Sequence, residues 1–156
     1  VLGLMARGPV TTIDVRQRQP ICSQESIVTC DAKKLNLGSD RFDAVVSLCA
    51  LEHFGLGRYG DEFDLEADRK AFNEMVRVLK PGGHLIFSTL ITRGPPTIEF
   101  NAHRIYDKKK IYDFCRDLKR IEERFYISRE NRFGVFSEVT DVPNQWDIYC
   151  GNWRKQ

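Results

Sequence analysis

Asp14 closes a β-branched run, Val10-Thr-Thr-Ile-Asp14, and Asp31 follows a second one, Ser26-Ile-Val-Thr-Cys30. A carboxylate at the carboxyl end of a strand stands where open α/β sheets bind their ligands. There it is placed to accept paired hydrogen bonds from the vicinal hydroxyls of a ribose. Several nucleotide cofactors carry that ribose, so Asp14 alone does not choose among them. Its competing role is to cap a turn or helix, and for Asp31 it is an Asx-turn after the strand. His53 lies just beyond a third apolar run, Phe42 to Leu48. An imidazole there is a candidate catalytic base for an attacking oxygen or nitrogen. A loop-capping histidine is the alternative, and the sequence leaves both open. Cys49 has no base beside it in sequence, which disfavours a thiol nucleophile.

Further polar groups follow. A loop punctuated by Gly55, Gly57 and Gly60 carries Arg58, Tyr59, Asp61 and Asp64. Such a loop can fold over a pocket, where Arg58 would hold an anionic group through its planar fork. An Arg–Asp network bracing the loop is the equal alternative. Asn101, His103 and Arg104 form a polar group after the strand expected to end near Ile91. His53, Asp61 and His103 match no metal-ligand spacing, and no metal is expected. The five cysteines, at 22, 30, 49, 115 and 150, contain no CxxC pair and read as reduced thiols of a cytoplasmic protein.

These residues need elements to position them. The run Phe42 to Leu48 suits a strand buried on both faces of a parallel sheet. Phe72, Met75, Val76 and Leu79 recur at i, i+3, i+4 and i+7, which predicts a helix from about Leu65 with Asp64 as N-cap. Pro81-Gly82-Gly83 should stop that helix, and His84 to Ile91 reads as the next strand. Strand, helix, turn and strand make a βαβ crossover. Val1 to Gly8 reads as a helix end, and Arg16 to Glu25 and Lys33 to Arg41 as loops. Thr92 to Thr97 holds Gly94-Pro95-Pro96 and must be a loop, whereas Glu99 to Tyr106 shows no clear period. Asp107 is the expected N-cap of a helix with Ile111, Phe114, Cys115 and Leu118 on one face. Ile121 to Ser128 and Trp146 to Gly151 read as strands joined by a long connection, with Trp146 and Trp153 as packing residues.

The chain has 156 residues, 42% of them hydrophobic and 29% charged, with a net charge of +2. That length makes a single domain, 1–156, with a sizeable core. The balanced charge gives no strong nucleic-acid signal, and the triplet Lys108-Lys109-Lys110 reads as the solvated start of a helix. No apolar run approaches a membrane span of roughly 18 residues.

VTTID with Asp14, TCDAKKL with Asp31, and RFDAVVSLCALEH followed by RVLKPGGHLIF occur in that order over nearly the whole chain. Together they resemble the class I S-adenosylmethionine-dependent methyltransferases. LEHFGLGRYGD with FNAHRIY resembles a group of uncharacterised methyltransferase-like domains within that superfamily. The resemblance implies an α/β, Rossmann-like fold: a mostly parallel sheet ordered 3-2-1-4-5-7-6, with helices on both faces and an antiparallel last strand. It implies S-adenosylmethionine as cofactor, with Asp14 on the ribose, Asp31 on the adenine amino group and the Ala32 N–H toward the ring. Ser47, Leu48 and Cys49 would face the methionine part. His53 would lie where cofactor and acceptor meet, with Arg58, Tyr59, Asp61, Asn101, His103 and Arg104 toward the acceptor. The implied function is methyl transfer to an unidentified acceptor, a small molecule being favoured.

The sequence departs from the pattern at its start. The superfamily's first strand and glycine-rich loop precede the segment that VLGLMARG resembles. The chain is therefore expected to begin inside the domain, and a hairpin with Val1 to Met5 as a strand is the rival. The first strand would lie between those ending at Asp14 and Ser47. Its loss would leave ladder groups open at mid-sheet, weaken cofactor binding and favour self-association. A non-catalytic methyltransferase-like binding or interaction module is thus the alternative function. A nicotinamide oxidoreductase is disfavoured by the LKPGG turn and by the lack of a Tyr/Lys pattern.

Overall fold

The computed structural model describes residues 2–156, so Val1 lies outside the described residues. Helix α1 (Leu2–Met5) leads into strand β1 (Val10–Asp14), which pairs in parallel with β2 (Glu25–Thr29). Residues 2–5 are thus helical, and over them the strand of the hairpin reading does not hold; its first residue, Val1, lies outside the described residues. A loop with Asp40 at φ 54° then leads to β3 (Phe42–Leu48) and a one-turn 3-10 helix, Leu51–His53. Next come α2 (Ala67–Val78) and β4 (Leu79–Ile91), which pairs in parallel with β3. This is the expected crossover, with three corrections. Strand β3, expected to be buried on both faces, has only Ser47 buried, because among the described residues it is an edge strand with β4 on one side alone.

The helix starts two residues late, with Glu66 rather than Asp64 at the N-cap position. Asp64 instead closes the preceding turn: Glu66 N donates to its Oδ1 at 3.0 Å and Ala67 N to its backbone carbonyl at 3.1 Å. At the other end the helix is already over at Val78. Leu79, fully buried, is the first residue of β4, and Pro81-Gly82-Gly83 forms a bulge inside that strand. Phe42 pairs with Leu79 and Ala44 with His84, so the bulge absorbs the extra residues on one side. Gly82, at φ 79°, supplies the left-handed step that this bulge requires.

After Ile91 comes a small antiparallel hairpin, β5 (Thr97–Glu99) and β6 (His103–Ile105), turned at Asn101 with φ 56°. It occupies the stretch Glu99 to Tyr106 in which no period was visible. All three β6 residues are buried on both faces, so the sequence there has no alternation to show. Asp107 caps α3 (Lys108–Phe114) as expected, its carboxylate accepting from Lys110 N at 2.7 Å. Strand β7 (Leu118–Ile127) turns into β8 (Arg132–Gly134), an edge strand within the stretch expected to be only a connection. The chain closes with β9 (Asp147–Lys155), longer than the expected Trp146–Gly151.

The strands form a five-stranded sheet ordered β3-β4-β9-β7-β8, the separate pair β1-β2 and the hairpin β5-β6. Strand β9 lies antiparallel between β4 and β7. Among the described residues, β1 has β2 as its only strand partner and β3 has β4 as its only one. The core lies where α2 and α3 cover the large sheet. Phe72 stacks on Phe114, centroids 5.2 Å apart, and meets Phe87 edge-on at 5.6 Å. Phe87 continues to Tyr149, whose hydroxyl accepts from Trp153 Nε1 at 2.9 Å. Trp153 is therefore core, while Trp146 remains 36% exposed.

Candidate functional site

Parallel pairing brings the carboxyl ends of β1 and β2 together and likewise those of β3 and β4. The loops leaving these ends meet: Lys33 Nζ, after β2, reaches Asp64 Oδ2 at 4.0 Å, and Leu35 N donates to Glu74 of α2 at 2.7 Å.

On the β1–β2 side, Asp14 stands at the strand end, and both its oxygens are engaged by the Arg16 fork at 3.0 Å. The Arg16 side-chain and backbone hydrogen bonds hold its carboxyl below the usual range. Arg16 itself is exposed, and its bonds here go to Asp14 alone. The fork stands on the open side of a carboxylate that is itself mostly covered and that Arg18 Nε also approaches at 3.9 Å, so Arg16 can swing out while Asp14 stays in place. Asp31 forms an Asx-turn, accepting from Lys33 N at 2.8 Å, and its carboxylate stays half exposed. Ala32 packs against the main core.

At the end of β3, Ser47 is buried and Leu48 exposed, and Cys49 takes a positive φ of 46°. The Cys49 N–H is shared between the Ser88 carbonyl at 3.0 Å and Ser88 Oγ at 3.1 Å. Burial pushes its thiol pKa up, against a hydrogen bond to Ser88 that lowers it, which keeps it a poor nucleophile.

His53 ends the 3-10 turn that follows. Its Nδ1 lies 2.7 Å from the Ala102 carbonyl, an acceptor only, so Nδ1 carries the proton. That leaves Nε2 with its lone pair free to take a proton. Around it stand Tyr59, edge-on at 6.0 Å, and His103 at 6.3 Å. Arg58 donates to the same Ala102 carbonyl at 3.3 Å, with its guanidinium 5.8 Å from the Tyr59 ring. The glycine loop thus leans on the β5–β6 hairpin through a carbonyl rather than through an Arg–Asp pair.

Asp61 holds the loop in shape. Its Oδ2 accepts from Gly55 N at 2.7 Å and its Oδ1 from Tyr59 N at 3.1 Å. Burial alone would raise its pKa, but these backbone donors bring it below the ordinary value. Gly55 adopts φ 70°, and a Cβ there would fall 2.2 Å from the Asp64 carbonyl oxygen, so only glycine fits. Arg104, expected toward the acceptor, is turned inward and 3% exposed. It donates to the carbonyls of Phe54 at 2.5 Å, Leu65 at 3.2 Å and Asp64 at 3.3 Å, and its Nε lies 3.5 Å from Asp68. It ties hairpin, loop and α2 together and has no donor fork left for a ligand. Asn101 is exposed in the hairpin turn, as is Phe100 before it.

Sequence reasoning missed Glu52. It is 1% exposed and accepts from Thr89 Oγ1 at 3.2 Å. Burial raises its pKa, opposed by its own backbone N–H, by His53 and by Thr89. A glutamate beside a glycine-rich loop reads as solvated, and the 3-10 turn sends it inward. Its position next to His53 was the one available signal. Among the described residues, no group of His, Cys, Asp and Glu is arranged to hold a metal ion. Nor is any helix there long and apolar enough to cross a membrane.

Solved structures share this architecture. The [4+2]-cyclase SpnF superposes with a TM-score of 0.72 at 17% identity, covering 99% of this chain and 69% of its own. The 1,6-didemethyltoxoflavin-N1-methyltransferase of Burkholderia thailandensis, solved with S-adenosylhomocysteine, gives 0.65 at 14% identity, covering 94% of this chain and 60% of its own. The N-methyltransferase NodS of Bradyrhizobium japonicum WM9, also with S-adenosylhomocysteine, gives 0.62 at 21%, covering 94% and 66%. The chain thus spans about 60 to 69% of the length of these three proteins. At such identities the likeness establishes the fold, that of the S-adenosylmethionine-dependent methyltransferases. No curated protein matches significantly. A family model does match residues 12–127, and the chain belongs to that family, described as Caenorhabditis protein of unknown function, DUF268.

Proposed function

We propose that this chain transfers a methyl group from S-adenosylmethionine to a small-molecule acceptor, with His53 as the base. The carrying observation is the His53 geometry: Nδ1 anchored on the Ala102 carbonyl at 2.7 Å, and Nε2 free at the carboxyl end of β3. Methyltransferases of the same fold, solved with S-adenosylhomocysteine, support the choice of cofactor.

The residues present fit that cofactor. The Asp14 carboxylate, at the end of β1, would hold the ribose hydroxyls once the exposed Arg16 fork swings away. The half-exposed Asp31 and the Ala32 N–H would take the adenine, and Ser47 to Cys49 the methionine part. When bound, the cofactor supplies an electrophilic methyl on a sulfonium. The chain's own residues then orient, exclude water and move one proton. His53 Nε2 accepts it from the acceptor's oxygen or nitrogen, and the resulting imidazolium keeps its Nδ1–H on the Ala102 carbonyl.

Two measurements test the reading. Calorimetry with S-adenosylhomocysteine should show binding that Asp14→Ala weakens by roughly 10- to 100-fold, from loss of charge-assisted bonds of about 1.5–3 kcal/mol each. His53→Ala should leave that binding intact and slow methyl transfer by at least ~100-fold. Turnover unchanged from pH 6 to 9 in the variant would remove His53 from the mechanism. Cofactor binding without turnover on any acceptor would assign a binding role instead. Self-association through the open edges of β1 and β3 belongs to the same reading, and light scattering at two protein concentrations tests it.

A further inference from the structure

Two buried side-chain polar atoms lack a hydrogen-bond partner among the described residues: Thr97 Oγ1 and His103 Nε2. Both lie on the β5–β6 hairpin. Thr97 pairs with Ile105 and Glu99 with His103, so the pleat puts all four side chains on one face. Thr97 and Ile105 line a half-open cleft of about 120 Å³, closed on its far side by Pro95, Val142, Pro143 and Gln145. His103 and Glu99 stand one pair further along the same face, where the Trp146 ring meets the imidazole edge-on at 4.5 Å.

A cleft of this size exceeds the ~30 Å³ share of one water and approaches the ~150 Å³ that houses a benzene. Thr97 Oγ1, at the cleft, and His103 Nε2, one strand pair beyond its lining, both lack the hydrogen bond that would offset their burial. The charge pattern selects among occupants. His103 Nε2 lies 3.4 Å from Glu99 Oε2 without a hydrogen bond between them. Burial lowers the His103 pKa, against the pull of Glu99, and the nearby His53 and Arg58 lower it further. The imidazole is therefore neutral at pH 7 and leaves the Glu99 charge uncompensated. Asp141, also at the cleft, is already paired with Arg93 at 3.0 Å.

We propose that this face of the hairpin binds a small amine carrying a second polar group. Its ammonium lies between Glu99 and His103, and its far oxygen or nitrogen meets Thr97. The separation follows from the strand, in which alternate residues are roughly 6.6 Å apart. That span suits a chain of three or four carbons between the two polar ends, its hydrocarbon against Pro95, Val142 and Pro143. As the acceptor of the methyl group this molecule rests on the function proposed above; as a ligand of the cleft it does not.

The test is NMR titration of the whole chain, without cofactor, following the His103 and Trp146 side chains. The probes are 4-aminobutan-1-ol, butylamine, butane-1,4-diol and 4-hydroxybutyrate. The amino alcohol should bind tightest and 4-hydroxybutyrate least. Glu99→Gln should cut the preference for the amino alcohol over the diol by about tenfold, the loss of one charge-assisted bond. Thr97→Val should cut its preference over butylamine by about fivefold, the loss of one neutral bond. Both readouts are ratios within one variant, so a general loss of stability does not mimic them. Equal binding of the four probes, no binding of the amino alcohol, or ratios unmoved by both substitutions would overturn the proposal. Because no methyl donor is present, failure here leaves the methyl-transfer reading standing, and failure of methyl transfer leaves the amine site standing.

Discussion

The two parallel strand pairs, β1–β2 and β3–β4, are built alike in backbone and differently in everything else. Strand β1 is half-buried at each of its five positions. Its pair is secured by charge: Glu25 accepts from Thr12 Oγ1 at 2.6 Å, Arg18 at 2.5 and 3.1 Å, and Ile21 N at 2.8 Å. Strand β4 instead has five consecutive buried residues, Phe87 to Ile91 having only Ser88 and Thr89 as polar members, and aromatic rings run from it into both helices and β9. Stability is therefore concentrated in the large sheet. Two of the residues read as cofactor contacts, Asp14 and Asp31, belong to the part with the least apolar support, while Ser47 to Cys49 stand at the end of β3. Low local stability is common where ligands are admitted.

Three substitutions would break or sharpen that contrast first. Phe72→Ala should cost about 3–5 kcal/mol in denaturant unfolding, because the cavity opens among Phe87, Phe114 and the sheet. Ile13→Ala in β1 should cost about 1 kcal/mol, in line with a half-exposed site. Equal losses at the two sites would mean that the pairs share one core. Gly55→Ala should cost more than about 1 kcal/mol, because φ 70° and the Asp64 carbonyl leave no space for a Cβ. It should also abolish methyl transfer by unseating the loop that carries Arg58 and Tyr59. Full activity in that variant would dissociate the loop from the site.

The pH dependence separates the two regions further. Glu25 is held at about 2, below its ordinary 4.5, chiefly by the Arg18 hydrogen bond and then by Thr12 and Ile21 N. A depressed carboxylate stabilises the fold above its unfolded pKa, and that contribution is lost as pH falls from 4.5 toward 2. Glu138, near β8, is also held at about 2, by Arg132 first. Glu25→Gln should flatten the acid-side fall of Tm belonging to β1–β2, and Glu138→Gln that of the β7–β8 edge. Thermal melts from pH 2 to 7 on each variant read this directly. The smallest effect is expected at Arg16→Ala. Removing the fork from Asp14 should tighten S-adenosylhomocysteine binding a few-fold, and weaker binding would make Arg16 a ligand contact rather than a cover.

Much of this was legible in the residues. The strand ends at Asp14 and Ser47, the Asp107 cap and the crossover all follow from local rules, because each is decided within a few residues. What escaped was decided by tertiary contact. Strand β6 shows no alternation because both faces are covered. Glu52 looks solvated until the 3-10 turn buries it. Arg104 looks like a ligand-binding guanidinium, yet its donors go to the carbonyls of Phe54, Asp64 and Leu65, which are distant in sequence. The residues of the candidate site could be picked out from the sequence, but the partners of their side chains could not.

The way His53 and Arg104 are held has a consequence for how this surface can change. Their partners are main-chain oxygens, of Ala102 for one and of Phe54, Asp64 and Leu65 for the other. A carbonyl is the one acceptor that no substitution deletes. A change of the Ala102 or Leu65 side chain therefore leaves the acceptor itself in place, whereas Asp64 and Phe54 also hold their carbonyls through the turn and the core. The shape and polarity of the rim can change while the His53 ring keeps its tautomer and its place.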